Sequence, residues 1–490
     1  WLFDHTEDVR YLHVPYVRRS HVWKGFELDT PDTADPELLD VVVVGAGPAG
    51  LCMTRRLAET DARFTVLERN ADVGGIWDID APGSPMYESA HFISSKTLSG
   101  FPDLPMPEDY PDYPNHRQIL AYIRSYADRF DLRSHIQFDT GVVHAALDQD
   151  GSWQLELTDG RRVRARYLVC ANGVTWEPNV ISWPGRFDGE IRHSVTYRDA
   201  SEFAGKRVLV VGAGNSGVDI ACDAAFAADQ AFLSVRRGYH FIPKHIFGTP
   251  ADVFAHNGPK LPHWLEVRAF GVMLRLMNGD LTRLGLPKPD HRVFESHPLM
   301  NTQILHYLGH GDCIAKPDIA SFDGPEVLFV DGSRERIDLV ITATGYHHAS
   351  PYLDEGVLEM RNGRPDLYLG MFARNHPNLA VLGFIEFASA AYANYAAMAE
   401  LIVADATAAN GSTVQRRFAD LKANHHPDLK GSHHYVNSER HANYVDVDAY
   451  LRTIAQVKAQ VQDGVGLSMA AEPRRGAVGS ILRHRSVAGR

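Results

Sequence analysis

One pattern of hydrophobic residues and glycines occurs twice along the chain. Asp40 opens a run of valines that ends at a glycine, residues 49–60 have the pattern of a helix, and residues 63–67 form a second apolar run. A continuous apolar run is typical of a strand buried on both faces, as in a parallel sheet. The order strand, helix, strand therefore predicts a βαβ unit. Residues 206–235 repeat this order, again with a glycine turn after the first strand.

A second repeat follows each of these openings. In residues 159–173 and in residues 331–345, an Asp-Gly pair precedes an apolar stretch that runs to Ala-x-Gly with the same spacing. Asp-Gly is typical of a hairpin turn, so we expect a hairpin and then a strand in each case. Each βαβ opening thus has its own closing strand further along the chain.

The first glycine turn, residues 45–50, has the form G-x-G-x-x-G directly after a buried strand. Gly45 permits the tight turn, Gly47 lets a pyrophosphate approach the backbone, and Gly50 allows the helix to pack closely on the strand. Glu68 ends the next strand, where a carboxylate accepts hydrogen bonds from ribose hydroxyls. Strand, helix and acid together predict a dinucleotide site, whereas the glycines alone would also fit an ordinary strand–helix turn.

The second glycine turn, residues 212–217, repeats this form but is followed by the opposite charge. Arg236 and Arg237 stand where the first unit has its glutamate. A guanidinium pairs well with a 2′-phosphate, which favours NADP over NAD. The alternative is that the two arginines form a solvated basic turn without a ligand.

The two turns predict an α/β fold with two Rossmann-like dinucleotide-binding domains, the second inserted in the first. We expect an N-terminal extension at 1–38, the first domain at 39–180 and 336–470, the second domain at 181–335 with a helical insertion at about 240–310, and a basic tail at 471–490. Within the insertion, residues 264–277 have the pattern of a helix.

Composition and charge exclude several classes of protein. Hydrophobic residues make up 44% of the chain and charged residues 22%, as in ordinary globular proteins. The net charge of −12 gives a nucleic-acid partner no electrostatic support. Every stretch of about 18 residues contains charged or strongly polar side chains, so we expect no membrane span.

Cysteines and histidines exclude further kinds of site. The cysteines at 52, 170, 222 and 313 are far apart and form no C-x-x-C pair. This excludes a disulfide framework, a cysteine zinc site and a dithiol reductase, and it favours the reducing cytoplasm. The paired histidines at 425–426 and 433–434 have no carboxylate or cysteine at ligand spacing, so we expect a solvated loop there and no metal.

Several segments taken together resemble the flavin-containing monooxygenases. They are the first glycine turn, residues 74–77 (Gly-Gly-Ile-Trp), residues 87–96, and residues 187–197 (F-x-G-x-x-x-H-x-x-x-Y), which match that family's identifying pattern just before the second glycine turn. Residues 344–346 (Thr-Gly-Tyr) are similar to the family's second linker. The resemblance runs from about residue 40 to about residue 400 and covers neither the N-terminal extension nor the tail.

The resemblance implies FAD in the first domain, NADPH in the second, and dioxygen as co-substrate. In the first domain it implies cofactor contacts at Gly45, Gly47, Pro48, Ala49, Gly50, Glu68, Asn70, Gly75, Ile76, Trp77 and Val142. In the second domain it implies contacts at Gly212, Gly214, Asn215, Ser216, Gly217, Asp219, Arg236 and Arg237, and in the second linker at Thr344 and Gly345.

The resemblance also implies roles for four catalytic candidates, His193, Tyr197, Ser94 and His91. His193 and Tyr197 would belong to the linker between the domains and couple cofactor exchange to flavin chemistry. The alternative is that His193 is a structural histidine between the domains, with its hydrogen bonds satisfied and no direct part in the chemistry. Many family members carry an asparagine beneath the flavin in a segment N-x-x-K. Here residues 93–96 read Ile-Ser-Ser-Lys, so that amide is absent and His91 or Ser94 would substitute for it.

The expected function is an FAD- and NADPH-dependent monooxygenase, in which reduced flavin and dioxygen form a 4a-hydroperoxide that N- or S-oxygenates a small organic substrate. Tyr197-Arg198 stands where Baeyer–Villiger enzymes usually have Trp-Pro, which favours heteroatom oxygenation. Two alternatives stay open, Baeyer–Villiger oxidation of ketones and a redox-sensing flavoprotein scaffold without oxygenase turnover. The sequence also leaves a homo-oligomer open.

Overall fold

The computed structural model describes residues 37–463 apart from residues 259–261, 298, 388–389, 432, 437, 439–440 and 442. The basic tail predicted at 471–490 and all but the last two residues of the predicted N-terminal extension lie outside the described residues. The α-helices are α1 Pro48–Leu57, α2 Lys96–Ser99, α3 His116–Arg129, α4 Asn215–Ala227, α5 Ala251–Asn257, α6 His263–Asn278, α7 Gln303–His310, α8 Tyr392–Ala406, α9 Thr413–Asn424 and α10 Val447–Asp463.

The β-strands are mostly short. They are β1 Leu38–Val44, β2 Phe64–Leu67, β3 Ile136–Gln137, β4 Val142–Leu147, β5 Trp153–Leu157, β6 Arg162–Cys170, β7 Glu177–Pro178, β8 Gly185–Phe187, β9 Glu190–His193, β10 Arg207–Val211, β11 Gln230–Ser234, β12 His245–Ile246, β13 Thr249–Pro250, β14 Cys313–Lys316, β15 Ile319–Gly324, β16 Glu326–Phe329, β17 Arg334–Arg336, β18 Leu339–Thr342, β19 Tyr346–His347, β20 Met360–Arg361, β21 Arg364–Pro365, β22 Leu367–Tyr368, β23 Phe372–Ala373, β24 Leu379–Val381, β25 Glu386–Phe387 and β26 Tyr444–Val445.

The first unit is built on a nine-stranded sheet. Its main path runs β22-β23-β24-β6-β1-β2-β3, with β4 and β5 joined at β6. Strand β1 lies parallel to both β2 and β6, so the predicted βαβ opening and its closing strand are confirmed. Val41, Val42 and Val43 are completely buried because α1 covers one face of the sheet and the β4–β5 layer packs against the other. This double burial explains the unbroken apolar run.

The second unit is built on a five-stranded sheet of order β14-β11-β10-β18-β9, in which every neighbouring pair is parallel. Its closing strand, β18, lies directly beside β10. The chain therefore leaves the second unit only after Thr342. The predicted boundary between residues 335 and 336 is wrong, because it assigns this closing strand to the first unit.

The chain crosses between the units twice, and the two crossings are joined to each other. Strand β7 of the outgoing crossing pairs antiparallel with β19 of the returning one. The N–H of Asn179 donates to the carbonyl of Gly345 at 2.9 Å, and the hydroxyl of Thr344 donates to the carbonyl of Asn179 at 2.6 Å. The second unit is thus inserted in the first through a paired, hydrogen-bonded linker.

The predicted helix at 264–277 is confirmed as α6, in a region that also holds α5 and the β12–β13 hairpin. A small apolar core that includes Ile246 and Leu274 joins these elements. Among the described residues, no helix has both the length and the apolar character needed to cross a membrane.

Candidate active site

The first glycine turn has a shape that only glycine fits at two positions. Gly45 has a φ of +107°, and a Cβ there would lie 2.5 Å from the carbonyl oxygen of Ala171 at the end of the closing strand. A Cβ on Gly50 would lie 1.9 Å from the carbonyl oxygen of Gly45. The turn and the close approach of α1 to the sheet therefore depend on both residues.

Gly47 faces a second glycine segment. A Cβ on Gly47 would lie 3.5 Å from the Cα of Gly75, which has a φ of +57° and opens a short 3₁₀ helix, Gly75–Trp77. Gly47 is also the N-terminal flanking residue of α1. The start of α1, which no side chain of the described residues caps, thus lies beside two glycines that approach each other closely, and such an end suits an anion.

Glu68 is buried at the end of β2 and braces this turn. Its Oε2 accepts from the N–H of Ala46 at 2.7 Å and its Oε1 from the N–H of Asn70 at 2.9 Å. Burial raises the pKa of the Glu68 carboxyl, although both amides act in the opposite direction. Thr140, two residues before Val142, donates its N–H to the carbonyl of Glu68 at 2.8 Å. The predicted contacts Glu68, Asn70 and Val142 therefore lie at one end of the turn.

The second glycine turn has the same geometry as the first at its outer glycines. Gly212 has a φ of +106°, and a Cβ there would lie 2.7 Å from the carbonyl oxygen of Ala343, which follows the closing strand β18. A Cβ on Gly217 would lie 1.9 Å from the carbonyl oxygen of Gly212. Gly214 flanks the N terminus of α4 as Gly47 flanks that of α1. Two equivalent nucleotide turns are thus present, one in each unit.

Arg236 and Arg237 follow β11 at the edge of an open pocket of about 460 Å³, lined also by Asp290 and Val436. Arg236 is exposed, whereas an Nη2 of Arg237 lies 3.1 Å from an Oδ1 of Asp290. The hydrogen bonds from His291 and Arg237 lower the pKa of the Asp290 carboxyl to about 2. The pocket therefore presents the guanidinium of Arg236, which has no ion-pair partner among the described residues, and that of Arg237, which a carboxylate holds in place.

His193 lies at the linker with both ring nitrogens engaged. Its Nδ1 accepts from the N–H of Val195 at 3.2 Å, so its Nε2 carries the proton and donates to the carbonyl of Gly345 at 3.1 Å. Its ring packs edge-on against Tyr346, with centroids 5.1 Å apart. Burial lowers the pKa of His193 to about 4. The bonds are those of a neutral histidine that ties β9 to the returning crossing.

Tyr197 and Asp219 lie in the contact between the two units. Tyr197 is completely buried, stacks on Phe203 with centroids 4.9 Å apart, and donates its hydroxyl to an Oδ2 of Asp223 at 2.8 Å. The carboxylate of Asp219 accepts from the hydroxyl of Tyr87 at 3.1 Å and from Asn301 at 2.6 Å. The structure thus engages both predicted residues with protein partners, and their contacts with substrate or cofactor stay predictions.

The two segments predicted to lie near the flavin touch each other. Trp77 packs edge-on against Phe92 at a centroid distance of 4.7 Å. Two residues on, the hydroxyl of Ser94 accepts from that of Ser99 at 2.7 Å, and the exposed His91 lies with its Nδ1 2.8 Å from the carbonyl oxygen of Ser89. Ser94 and His91 therefore flank the aromatic contact.

A family model described as flavin-binding monooxygenase-like matches residues 39–459. The chain belongs to this family. It is 35% identical to flavin-containing monooxygenase 5 of Mus musculus over 379 residues, and this alignment covers 71% of this chain and 69% of the relative. It is 33% identical over 339 residues to the probable indole-3-pyruvate monooxygenase YUCCA9 of Arabidopsis thaliana, with 66% and 79% covered.

Solved structures share the fold. A flavin-containing monooxygenase from Stenotrophomonas maltophilia superposes with a TM-score of 0.59 at 22% identity, covering 76% of this chain and 98% of that one. An open form of cyclohexanone monooxygenase superposes with a TM-score of 0.60 at 20% identity, covering 75% and 86%. The sequence resemblance to the flavin monooxygenases is therefore confirmed, as is the fold of two Rossmann-type domains.

Membership of this family makes the chain a flavin-dependent monooxygenase with FAD and NADPH as its cofactors. The residues present fit both groups. The space between Gly47 and Gly75 would be filled by any Cβ, and the amides at the start of α1 have no side-chain cap, as a pyrophosphate needs. The open pocket beside Arg236 suits the additional phosphate that distinguishes NADPH from NADH. The individual contacts stay predictions.

Sequence reasoning missed three residues that shape the site. Asp290 lies 53 residues beyond Arg237, and Asp223 lies 26 residues beyond Tyr197, so no local pattern joins either pair. Lys244 follows the second nucleotide turn after two elements, α4 and β11, and lies with its Nζ 5.1 Å from the ring centroid of Tyr113, a residue of the first unit. Only the folded structure reveals these contacts.

Proposed function

We propose that this flavin-dependent monooxygenase transfers one oxygen atom from dioxygen to a nitrogen or sulfur atom of a small organic substrate. NADPH supplies two electrons, and the second oxygen atom leaves as water. FAD, when bound, carries the electrons from NADPH to dioxygen. The observation that supports this proposal is the pair of equivalent nucleotide turns, one per unit, joined by crossings that His193 and Gly345 link to each other.

The protein's own contribution is to bind and orient the two cofactors and to keep water from the reacting atoms. The amides at the start of α1 would hold the pyrophosphate of FAD, and Glu68, which braces the turn, would accept from its ribose. The start of α4 would hold the pyrophosphate of NADPH, and the arginines after β11 would hold its additional phosphate. Transfer of oxygen to an amine or sulfide needs no strong side-chain acid.

Arg198 favours heteroatom oxygenation. Its Nη1 donates to the carbonyl of Met86 at 3.2 Å and to those of Val195 and Tyr197 at 3.0 Å each. A Baeyer–Villiger reaction needs a deprotonated oxygen nucleophile, which a nearby cation stabilises. These bonds leave Arg198 charged but fix its Nη1 on the backbone around the linker, so we propose that it orders this segment and is not the cation that oxidation of a ketone would use.

Baeyer–Villiger oxidation remains a second candidate because of Lys244. This half-buried lysine takes part in none of the ion pairs found in the described part of the chain. Burial lowers the pKa of its ammonium group, which Asp219 opposes only in part. Lys244 lies between the units, where it contacts Tyr113. A cation in that place is what oxidation of a ketone would require.

Product analysis separates these functions. The purified protein is incubated with NADPH and air, together with a tertiary amine, a sulfide or a cyclic ketone, and the products are identified by mass spectrometry. We expect an N-oxide and a sulfoxide. A lactone as the main product, lost in Lys244→Met, would establish the second candidate instead. A redox-sensing scaffold would bind FAD but consume no NADPH in response to any substrate. The cytoplasmic location and a homo-oligomer stay predictions.

A further inference from the structure

Two half-buried carboxylates, Asp219 and Asp223, lie one helical turn apart on α4. Asp219 and Asp223 both point from this helix toward the first unit. Burial raises the pKa of both side chains. Neither forms an ion pair with any lysine, arginine or histidine of the described residues. The charge of Lys244 favours the ionised form of Asp219 without forming an ion pair with it. Placing two carboxylates side by side with so little compensation costs stability, so a role other than stabilisation is expected.

The hydrogen-bond donors to these carboxylates come from both units. Tyr87 and Ser89, in the first unit, donate their hydroxyls to Asp219 and Asp223 respectively. Tyr197 donates to Asp223 from the linker side, and Asn301 donates to Asp219 at 2.6 Å from the second unit. Each aspartate is therefore bonded once across the contact between the units and once from the side of the second unit.

Backbone bonds reinforce the same contact. The N–H of Glu88 donates to the carbonyl of Arg198 at 2.8 Å, and the guanidinium of Arg198 donates to the carbonyl of Met86 at 3.2 Å. Residues 86–89 are thus held by α4 on one side and by the linker on the other. Met86 and Tyr87 also pack into the apolar core of the second unit.

The position of residues 86–89 in the chain connects the two cofactor sites. The segment lies between the Gly75–Trp77 helix and Ser94, which are expected at the flavin, and it docks on the helix that begins at the second nucleotide turn. We infer that Asp219 and Asp223 form an interdomain clamp on residues 86–89 that fixes how the nicotinamide faces the flavin. This inference rests on the proposed function. The four clamp residues, Asp219, Asp223, Tyr87 and Ser89, are positioning residues.

The test compares clamp variants with a matched control. Tyr87→Phe and Ser89→Ala each remove one hydroxyl that crosses between the units. Tyr167→Phe is the control, because Tyr167 also donates its hydroxyl to a buried aspartate, Asp405 at 2.5 Å, but within the first unit. Anaerobic mixing with NADPH gives the rate of flavin reduction, and aerobic turnover gives the hydrogen peroxide released per NADPH consumed.

We expect each clamp variant to retain its FAD and to reduce it about tenfold more slowly, because one hydrogen bond to a carboxylate is lost. The double variant Tyr87→Phe/Ser89→Ala is expected to release more hydrogen peroxide per NADPH consumed. The reason is that misaligned cofactors reduce dioxygen without transferring an oxygen atom to the substrate. The control keeps the wild-type rate and peroxide yield. Wild-type reduction rates in the clamp variants, or an equal loss in Tyr167→Phe, would overturn the clamp.

A second measurement does not depend on the proposed function. Urea unfolding of Ser89→Ala, Asp223→Asn and the double variant gives the coupling between the two residues. We expect the losses to be non-additive, since Ser89→Ala removes the donor of this bond and Asp223→Asn removes the charge of its acceptor. If the wild-type flavin is not reduced by NADPH, the proposed function fails, while the coupling still decides whether the clamp exists. Additive losses would overturn the clamp with the function intact.

Discussion

The choice between NADPH and NADH depends on Arg236 and Arg237. The additional phosphate of NADPH carries nearly two negative charges, and a guanidinium meets its oxygens with two parallel hydrogen bonds. NADH has a hydroxyl at that position and gains little from either arginine. We therefore expect Arg236→Ala and Arg237→Ala to raise the KM for NADPH while leaving the KM for NADH nearly unchanged.

The structure sets the size of this effect. A charge-assisted hydrogen bond contributes about 1.5–3 kcal/mol, but exposure at Arg236 reduces this to about 1–1.5 kcal/mol, or roughly a tenfold change in KM. Arg237 is pre-oriented by Asp290 at 3.1 Å, yet the same carboxylate offsets part of its charge. We therefore expect a similar or smaller effect from Arg237→Ala. For the double variant we expect an increase of between about tenfold and a hundredfold, because neighbouring contacts are not fully additive.

Initial-rate kinetics with both nucleotides, at low and high ionic strength, measure this directly. Salt should reduce the wild-type preference for NADPH and leave the double variant unaffected, because an exposed charge pair is screened. Asp290→Asn serves as a control of opposite sign, since it removes a negative charge from the pocket without removing a guanidinium. If the double variant keeps the wild-type ratio of KM values, the arginines form only a solvated turn and the reasoning fails.

Three further predictions concern binding and stability. Gly47→Val should yield a folded but colourless protein, because its Cβ would lie 3.5 Å from the Cα of Gly75 and its methyl groups would fill the space beside it. Circular dichroism checks the fold and visible absorbance checks the bound FAD, and a fully yellow variant would place the FAD elsewhere. His193 has a pKa of about 4 in the folded state, below its unfolded value of about 6.5. Between about pH 6.5 and about pH 4, it therefore stays neutral in the folded protein but is protonated in the unfolded chain, so the free energy of unfolding falls as the pH drops. Urea unfolding at about pH 7 and about pH 4.5 should show a loss smaller by about 2 kcal/mol in His193→Gln than in the wild type, and equal losses would contradict the assigned bonds. Lys422→Met should cost about 3–5 kcal/mol, because it leaves the buried carboxylate of Asp405 without its cation; an unchanged urea midpoint would show that the pair is not coupled.

The sequence was informative where one physical requirement dominates a local stretch. Strand β1 is buried on both faces, and an unbroken apolar run satisfies that, so the strand and its βαβ unit were predictable. The glycines of both turns were predictable for a similar reason, since Gly45 and Gly212 adopt a backbone conformation that other residues avoid.

Contacts between distant segments could not be predicted. Ser89 and Asp223 are 134 residues apart. Serine and aspartate are common on protein surfaces, so neither residue type indicates a hydrogen bond between two units. The boundary at 335/336 was wrong because β18 joins the second sheet by pairing with β10, and a short apolar strand does not reveal its neighbour. For Glu68, the sequence predicted the position at the end of the second strand. It did not predict the hydrogen bonds from the amides of Ala46 and Asn70.

The central claim is that the chain transfers one atom of dioxygen to a substrate heteroatom. Turnover of a sulfide with NADPH under dioxygen labelled with oxygen-18, followed by mass spectrometry of the product, tests this most directly. We predict a sulfoxide that contains one labelled oxygen atom, with NADPH consumed in equal amount. An unlabelled sulfoxide, or NADPH consumption that yields only hydrogen peroxide, would contradict the claim.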